Sequence, residues 1–365
     1  MRGILVLHTS TVMGGAEYSL LELLHNLGNV PIPLHIACSS NQVLFQHITT
    51  LPIVCHDIYL PYPHKKYLFK TWIEIIKASI RLCRLVQKEK LQLIYCNTFR
   101  SLVFCVLIKW FCKSKIVCHC RDHATSHFVR FMIRIMADEC IAVSSHIFKE
   151  LPRSSKIHIV HNGVNPLFFQ KNDTSKLLIT QYGLPKNTQL IGNIGQIVPW
   201  KNQMDYLKIA AYLLRKYNNL HFFMVGAIVD DDYFLILKQQ VQQLGLESYV
   251  TFTGHVDNIA DYLSAFTLVL HTARNEPFGR VLIETAIAEK PVVAYASGGP
   301  SEIIEDEKTG FLVADGNIEI MAELTAKLLD NPNLRTNMGE LAKEHIIRHF
   351  NSRDYAQKVY QILCS

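Results

Sequence analysis

The stretch that decides the fold is Asn275-Glu276-Pro277-Phe278-Gly279-Arg280-Val281-Leu282-Ile283-Glu284. It follows an apolar run at residues 268–270 that predicts a buried strand, and it leads into a helix predicted over residues 281–288. The first N–H groups of such a helix lack partners within it, and the helix dipole makes this end positive, so phosphate binds there readily. Glu276 and Glu284 add two carboxylates that can accept hydrogen bonds from hydroxyls. The stretch therefore predicts a site for a sugar carried on a nucleoside diphosphate.

These residues also carry a family resemblance. Glu276 and Glu284, with seven residues between them and Pro-Phe-Gly after the first, resemble the paired-glutamate motif of retaining glycosyltransferases of family 4. Residues 292–303, residues 309–313 and the segment Gly14-Gly15-Ala16-Glu17 resemble that family too. The resemblance covers nearly the whole chain. It implies an α/β protein of the GT-B class, in which two Rossmann-like, doubly wound domains face each other across a cleft.

The pattern of elements along the chain favours the same architecture. Short apolar runs that predict strands alternate with helical segments, which favours parallel sheets covered on both faces. We expect an acceptor-binding domain over residues 1–170 and a nucleotide-sugar-binding domain over residues 171–350. The boundary is expected near residues 168–185, where residues 170–175 are polar. By resemblance, a last helix over residues 351–365 crosses back to the first domain.

Composition sets further bounds on the protein. A chain of 365 residues suggests two domains, and 49% hydrophobic residues suffice for ordinary cores. The apolar runs fall short of the roughly 18 residues that a membrane-spanning helix needs, and residues 4–7 are too few for a signal peptide. A cytoplasmic protein is the expectation, and its ten cysteines are then expected to be reduced thiols, mostly buried in strands.

Charge is unevenly distributed along the chain. Residues 1–170 hold 19 Lys and Arg against 9 Asp and Glu, whereas residues 171–365 hold 18 against 22. A basic first half suggests an anionic partner, such as a membrane surface or a lipid-linked acceptor. No nucleic-acid-binding motif accompanies the charge, so nucleic acid is not expected as a partner. A merely soluble surface is the simpler alternative.

A helix predicted over residues 69–89 sharpens the membrane hypothesis. Its basic side chains fall within roughly a 60° sector at 100° per residue, and isoleucines lie beside them. The basic residues are Lys70, Lys77, Arg81, Arg84 and Lys88, and the isoleucines are Ile73, Ile76 and Ile80. With the aromatic and basic segment over residues 59–70, this pattern is typical of a helix that lies on the inner face of a membrane. An ordinary helix with its apolar side in the core is the alternative.

Three residues of the first half are candidate site residues. Gly14 and Gly15 come between a predicted strand and a predicted helix, where adjacent glycines let the backbone approach a phosphate; a simple turn is the alternative. The G-x-G-x-x-G fingerprint is absent, which disfavours a nicotinamide-dependent oxidoreductase. His119 ends a predicted strand and resembles the family histidine of a His-x-Arg-Asp pattern, which implies contact with the transferred sugar. A buried structural histidine is the alternative.

The same region contains thiols and imidazoles at Cys118, His119, Cys120, His123 and His127. A metal site on these residues is not expected, because neighbouring residues of a strand point to opposite faces of the sheet.

Two residues follow the first predicted strand of the second half. Lys201 lies next to a predicted helix start, where an ammonium adds to the positive field, and the resemblance implies that it binds the donor diphosphate. A surface lysine is the alternative. Gln196 stands where the family usually has arginine, which leaves one fewer cation on the leaving group. Arg280 is a candidate to compensate for that loss.

The resemblance implies transfer of a glycosyl group from a nucleotide sugar to an acceptor hydroxyl with retention, without cofactor or metal. The setting expected is synthesis of cell-surface polysaccharide, lipopolysaccharide or glycolipid, with an acceptor that is left open. Residues 230–232, three aspartates, are predicted to form a turn rather than a metal-binding motif. The predicted catalytic residues are Glu276, His119 and Lys201, and the predicted donor-binding residues are Gly14, Gly15, Gln196, Lys201, Phe278, Gly279, Arg280 and Glu284. A non-catalytic nucleotide-sugar-binding or membrane-binding scaffold is the alternative.

Overall fold

A computed structural model shows two compact units. Unit 1 comprises Met1–Asn165 together with Ser352–Ser365, and unit 2 comprises Pro166–Asn351. The residues that the structure describes are 3–10, 13–28, 30, 32–40, 42–61, 68–124, 126–152, 156–168 and 174–365. Residues 62–67 of the predicted aromatic and basic segment lie outside them, as do residues 169–173 of the predicted domain boundary.

The sheet of unit 1 is parallel throughout. Its strands are β1 (Gly3–Leu7), β2 (Leu34–Cys38), β3 (Val54–Asp57), β4 (Leu91–Cys96), β5 (Lys115–Cys120), β6 (Glu139–Ala142) and β7 (Lys156–Ile159). Within the described residues these seven strands lie in the order β3-β2-β1-β4-β5-β6-β7. The order reverses between β1 and β4, as in doubly wound sheets that bind ligands at the carboxyl ends of their strands.

Helices cover this sheet, and one of them comes from the end of the chain. They are α1 (Gly15–Leu27), α2 (Val43–Ile48), α3 (Leu68–Lys88), α4 (Val106–Phe111), α5 (His127–Met136), α6 (Ser145–Glu150) and α15 (Ser352–Cys364). A 3₁₀ helix, Phe99–Cys105, precedes α4. Val359 and Leu363 of α15 are buried in the same core as Leu20 and Leu24 of α1, so the last helix completes unit 1.

Unit 2 has a smaller parallel sheet. Its strands are β8 (Gln189–Ile194), β9 (Leu220–Val225), β10 (Val250–Gly254), β11 (Leu268–His271), β12 (Val292–Tyr295) and β13 (Phe311–Val313). In the part of unit 2 that the structure describes, their order is β10-β9-β8-β11-β12-β13, which again reverses, here between β8 and β11. All four residues of β11 are buried, as the apolar run predicted.

The helices of unit 2 include one correction to the sequence analysis. They are α7 (Ser175–Gln181), α8 (Gln203–Leu213), α9 (Asp231–Gln243), α10 (Ile259–Ala265), α11 (Arg280–Ile287), α12 (Pro300–Ile303), α13 (Ile318–Asp330) and α14 (Pro332–His349). The prediction of a turn at residues 230–232 is wrong, because these aspartates start α9. Asp230 caps the helix by accepting a hydrogen bond from the Tyr233 N–H at 2.9 Å. Asp231 and Asp232 lie in its first turn, where carboxylates stabilise the helix dipole.

Helix α3 has two apolar sides. Its core side includes Ala78 and Leu82, which are buried. Ile73, Ile76 and Ile80 instead face solvent, with exposed fractions of 39%, 56% and 37%. Among the helices of the described residues, none combines the length and the hydropathy needed to cross a membrane.

Candidate active site

The loop between β11 and α11 is held in place by the loop that follows β12. The Glu276 N–H donates to the Ser297 carbonyl at 3.1 Å, and the Gly299 N–H donates to the Glu276 carbonyl at 2.8 Å. Ser297 Oγ accepts from the Asn275 N–H at 2.8 Å and donates to Asp315 at 2.9 Å. The two loops therefore form one rigid support for the Glu276 side chain.

Glycine is required where these loops meet. Gly298 has a φ of +80°, and a Cβ there would lie 2.3 Å from the Glu276 carbonyl oxygen. A Cβ at Gly299 would lie 2.1 Å from the carbonyl oxygen of Phe278. No larger residue fits at either position without moving the backbone that carries Glu276. This close approach is the physical reason for the Ser-Gly-Gly segment after β12.

The Glu276 carboxylate is paired with Lys201. Lys201 Nζ lies 2.5 Å from Glu276 Oε2, and His271 Nε2 lies 3.2 Å from the same oxygen. All three side chains are largely buried, with exposed fractions of 14%, 8% and 2% for the lysine, the glutamate and the histidine. Sequence reasoning placed Glu276 and Lys201 in one site, and the structure brings them into direct contact. It did not identify His271, which ends β11 and looks like an ordinary core residue.

This arrangement determines the charges of the cluster. Burial raises the pKa of Glu276, but the positive charge of Lys201 and the hydrogen bond from His271 outweigh it and lower the pKa to about 2. Burial lowers the pKa of His271, although Glu276 opposes that change. The glutamate is therefore a carboxylate and the histidine is neutral at neutral pH. The cluster presents one ammonium and one carboxylate in a buried setting, where their charges act strongly.

The backbone around Lys201 is tied to the same loop. Lys201 ends the 3₁₀ helix Pro199–Lys201, and its carbonyl accepts a hydrogen bond from Thr272 Oγ1 at 3.1 Å. The Trp200 carbonyl accepts from the Arg274 N–H at 2.9 Å. Lys201 Nζ also lies 4.3 Å from the centre of the Trp200 ring, a favourable position for a cation over an aromatic face. The chain segments that carry Lys201 and Glu276 thus hold each other in register.

A buried aspartate that sequence reasoning missed reinforces this register. Asp205 Oδ2 accepts hydrogen bonds from Asn202 at 2.6 Å, from Arg274 at 3.1 Å and from the Tyr295 hydroxyl at 3.0 Å. The donors come from the segments that follow β8 and β11 and from β12 itself. Asp205 lies in the first turn of α8, where an acidic residue is ordinary, so the sequence held no signal of its role.

Other predicted donor-binding residues of unit 2 lie around the start of α11. Gly279 is the N-cap of this helix, with a φ of +96°. Arg280 Nε lies 2.6 Å from Glu284 Oε1, one turn along the helix, and both side chains are mostly buried. The Phe278 side chain is buried against Phe350, so only its backbone is suited to contact a ligand. Gln196 lies elsewhere, in the segment after β8. It is half-buried, and its carbonyl accepts a hydrogen bond from the Gln203 side chain at 2.9 Å.

In unit 1 the predicted glycines flank a buried carboxylate. The Gly14 N–H donates to Glu17 Oε2 at 2.9 Å, and Gly15 is the exposed first residue of α1. Burial raises the pKa of Glu17, and its other oxygen lies 3.7 Å from His8 Nε2. The backbone N–H predicted to approach a phosphate is thus engaged with an internal anion. A phosphate bound at Gly14 would have to share or replace that hydrogen bond.

His119 lies inside unit 1. Its side chain is fully buried, and its Nδ1 lies 2.7 Å from the Tyr95 hydroxyl. Burial holds the pKa of His119 well below its ordinary value, so the ring is neutral. Its Nε2 has no hydrogen-bond partner among the described residues, and this nitrogen is buried with the rest of the ring.

A buried arginine, Arg121 of the His-x-Arg-Asp pattern, lies beside His119. Arg121 Nη1 donates to Asn162 Oδ1 at 2.5 Å, and its Nη2 donates to the hydroxyls of Tyr95 and Tyr355 at 3.2 and 2.8 Å. Burial tends to lower the pKa of Arg121, and the surrounding hydroxyls overcome that effect and raise it. Arg121 therefore keeps its charge and joins α15 to the sheet.

Two family models match this chain. The family model described as Glycosyltransferase Family 4 matches residues 13–167, and the model described as Glycosyl transferases group 1 matches residues 174–345. The structure of HepE from Anabaena in complex with UDP and glucose matches with a TM-score of 0.86 and 23% identity over 100% of both chains. Likeness at that identity shows the fold, and it confirms the predicted GT-B class with two Rossmann-like domains.

Two curated relatives match part of the chain. N-acetyl-alpha-D-glucosaminyl L-malate synthase of Bacillus anthracis is 28% identical over 235 residues, which are 63% of this chain and 60% of that protein. Poly(ribitol-phosphate) alpha-N-acetylglucosaminyltransferase of Staphylococcus aureus is 30% identical over 183 residues, 48% of this chain and 36% of that protein. The chain therefore spans 60% or less of the length of these two relatives. Since the two family models together cover most of its residues, the chain belongs to glycosyltransferase family 4, the glycosyl transferases of group 1.

Proposed function

We propose that the chain transfers a glycosyl group from a nucleoside-diphosphate sugar to an acceptor hydroxyl with retained anomeric configuration. The observation that carries this proposal is the buried cluster of Lys201, Glu276 and His271 at the carboxyl edge of the second sheet. An ammonium suits the negative charge of a diphosphate, and a carboxylate suits the hydroxyls of a sugar. A uridine nucleotide is the first donor to test, because the Anabaena neighbour was solved with UDP and glucose.

In the proposed reaction the bond between the anomeric carbon and the diphosphate oxygen breaks on the face where the acceptor oxygen attacks. The acceptor proton passes to the departing oxygen. Negative charge grows on the diphosphate, and Lys201, Arg280 and the N–H groups at the start of α11 stabilise it without a divalent metal. Glu276 orients the sugar hydroxyls, and Glu284 binds the ribose hydroxyls of the donor. By resemblance, we assign Gly14 and Gly15 of unit 1 to donor binding and His119 to contact with the transferred sugar.

The setting we propose is synthesis of a cell-surface polysaccharide, lipopolysaccharide or glycolipid. The Staphylococcus aureus relative, whose name includes poly(ribitol-phosphate), supports a polymer acceptor. We also infer contact with the anionic inner face of a membrane. That contact is suggested by exposed apolar side chains on three helices that pack around the 3₁₀ helix Phe99–Cys105, namely α3, α4 and α5.

The exposed side chains on these helices are large. They include Trp72 and Ile76 on α3, Trp110 on α4, which is 73% exposed, and Phe128 and Phe131 on α5. Exposed basic residues accompany them at Lys77, Arg81, Arg84, Arg130 and Arg134. Aromatic and aliphatic side chains beside Lys and Arg are the combination that binds an interface of anionic lipid.

The function is tested by incubating the full chain with nucleotide sugars and measuring release of nucleoside diphosphate, with and without candidate acceptors. Donors are first ranked by thermal shift, because a bound donor stabilises the native state. Lys201→Ala is expected to lower turnover and Glu284→Gln to weaken donor binding. Lys216→Ala is the matched control, because Lys216 is an exposed lysine of the same unit bonded to Asp330. Full activity in both site variants would contradict the assignment, and failure to release any diphosphate from bound donors would favour a scaffold.

Membrane contact has its own test. Changing Lys77, Arg81 and Arg84 to glutamate is expected to release the protein from vesicles that contain anionic phosphatidylglycerol. The same three residues changed to glutamine give a milder loss that salt enhances, because screening weakens the remaining charges. Vesicle binding that survives the charge reversal would remove the membrane hypothesis and leave the transferase proposal intact.

A further inference from the structure

Three side chains outside the candidate active site converge in unit 1. They are His123, which follows β5 by three residues, and His146 and Glu150 of α6. Their imidazole nitrogens and carboxylate oxygens, one atom from each residue, all lie within 4.8 Å of one another. His123 Nδ1 lies 2.7 Å from Glu150 Oε1, and the two imidazole rings meet edge to face with their centres 5.4 Å apart.

The fold explains why these residues meet. His146 and Glu150 are four residues apart, so they share one face of α6 and lie one above the other. Helix α6 follows β6, and β6 pairs in parallel with β5, the strand that precedes His123. The segments that leave two neighbouring parallel strands emerge at the same edge of the sheet. That edge, at the carboxyl ends of the strands, is where open α/β sheets place their ligands.

We propose that His123, His146 and Glu150 bind one divalent transition-metal ion, with Zn²⁺ the best match. Two imidazole nitrogens and one carboxylate oxygen are a donor set that zinc commonly takes in proteins. In a tetrahedral zinc shell with bonds of about 2.0–2.1 Å, neighbouring ligand atoms lie roughly 3.3–3.4 Å apart. The present spacings, from 2.7 Å to within 4.8 Å, reach that value with small side-chain rotations.

Two further features of the cluster fit a metal. Glu150 Oε2 accepts a hydrogen bond from the Ala124 N–H at 3.0 Å, which orients the carboxylate and leaves Oε1 to face the imidazole. Backbone support of this kind is typical of the residues that surround metal ligands. His123 and Glu150 also keep exposed fractions of 26% and 22%, so an ion can enter and a fourth position stays open to water. Three protein ligands with one open position are the pattern of zinc sites that bind a further ligand.

The simpler alternative is a hydrogen bond between His123 and Glu150 with the His146 ring packed beside it. That arrangement predicts no stoichiometric metal binding. The test uses the full chain, freed of metal with a chelator and titrated with Zn²⁺ against a chromogenic competitor. We expect one tight zinc ion per chain. His146→Ala is expected to weaken binding at least tenfold, since even the loss of an outer-shell partner costs 10–100-fold. His127→Ala is the matched control, because His127 is an exposed imidazole at the start of α5.

Cysteine thiols are the competing zinc ligands, and the chain has ten of them. Cobalt substitution distinguishes the proposed histidine and glutamate site from a thiolate site. Co²⁺ held by nitrogen and oxygen lacks the intense near-ultraviolet band of a thiolate complex. Glu150→Gln provides a second variant, since its amide oxygen still accepts from the Ala124 N–H and circular dichroism can verify its fold. A thiolate spectrum, or zinc affinity unchanged in both His146→Ala and Glu150→Gln, would overturn the proposal. Loss of the site in Glu150→Gln alone would sustain it if His146→Ala failed to fold.

Discussion

Replacing Lys201 by alanine is expected to destabilise unit 2 by about 3 kcal/mol. The change leaves the Glu276 carboxylate buried without its main counter-charge, which lies 2.5 Å away in the native protein. The native environment lowers the pKa of Glu276 from 4.5 to about 2, which corresponds to about 3 kcal/mol in favour of the charged form at neutral pH. Breaking a buried ion pair by removing one partner typically costs a similar amount.

The same pair predicts how stability depends on pH. The pKa of Glu276 is lower in the folded than in the unfolded chain, so its contribution is complete above pH 4.5 and is lost as the pH falls toward about 2. In Lys201→Ala the pKa of Glu276 rises, because burial then acts without the opposing ammonium. The parent is therefore expected to lose stability as the pH falls from 4.5 toward about 2, whereas the stability of the variant is expected not to show this decline.

Urea unfolding at several pH values measures this effect. Trp200 lies in unit 2, whereas the other two of the three tryptophans, Trp72 and Trp110, lie in unit 1. A parent with Trp72→Phe and Trp110→Phe therefore reports on unit 2 alone. Lys216→Ala, which removes a pair whose lysine side chain is 63% exposed, is expected to change stability by no more than about 1 kcal/mol.

A double-mutant cycle decides whether Lys201 and Glu276 act as a pair. The cost of Lys201→Ala is expected to be much smaller in a Glu276→Gln background, because the amide carries no charge that needs compensation. Coupling beyond about 0.5 kcal/mol separates interacting from independent sites. Additive costs within that limit, or a Lys201→Ala variant as stable as Lys216→Ala, would refute the reasoning.

Three further predictions follow from the site. Gly298→Ala is expected to destabilise unit 2 by about 2 kcal/mol or more and to abolish the donor-induced thermal shift. The reason is that its Cβ would lie 2.3 Å from the Glu276 carbonyl oxygen. A urea midpoint equal to that of the parent would contradict this prediction. Tyr355→Phe removes a hydroxyl that accepts from buried Arg121 and is expected to cost about 1.5–3 kcal/mol in unit 1. Tryptophan fluorescence in urea measures this cost in a parent with Trp200→Phe, whose remaining tryptophans lie in unit 1. Excess chelator is expected to leave the glycosyl-transfer rate unchanged, and a rate that magnesium or manganese restores would show that the diphosphate needs a metal.

Much of the fold was predictable because strong local signals agreed with it. Strand β11, Leu268–His271, lies where the apolar run at residues 268–270 predicted a buried strand, since buried parallel strands are short apolar runs. Strand β13, Phe311–Val313, was not predicted as a strand, because three residues are too few to show a periodicity. The aspartates at residues 230–232 were mistaken for a turn, since Asp favours both turns and helix N-caps.

The sequence pointed to candidate site residues and not to the contacts between them. Glu276 and Lys201 were singled out as ligands for a donor, yet their direct pairing depends on the tertiary packing of segments about 75 positions apart. His271 and Asp205 were missed for the same reason, because a histidine at a strand end and an aspartate in a first helical turn are locally unremarkable. The helical periodicity predicted that Ile73 and Ile76 lie on one apolar stripe of α3. Only the structure could show that this stripe faces solvent.

The discontinuous make-up of unit 1 bears on the order in which the protein is made. Its core needs α15, whose Val359 and Leu363 pack with α1 and whose Tyr355 accepts a hydrogen bond from Arg121. A ribosome adds those residues only after it has synthesised all of unit 2, which is one continuous segment. Unit 2 therefore contains in one segment all the residues that it needs, whereas the sheet of unit 1 needs a helix from beyond unit 2. A chain truncated before residue 352 would leave the apolar surface of unit 1 without its cover and could complete only unit 2.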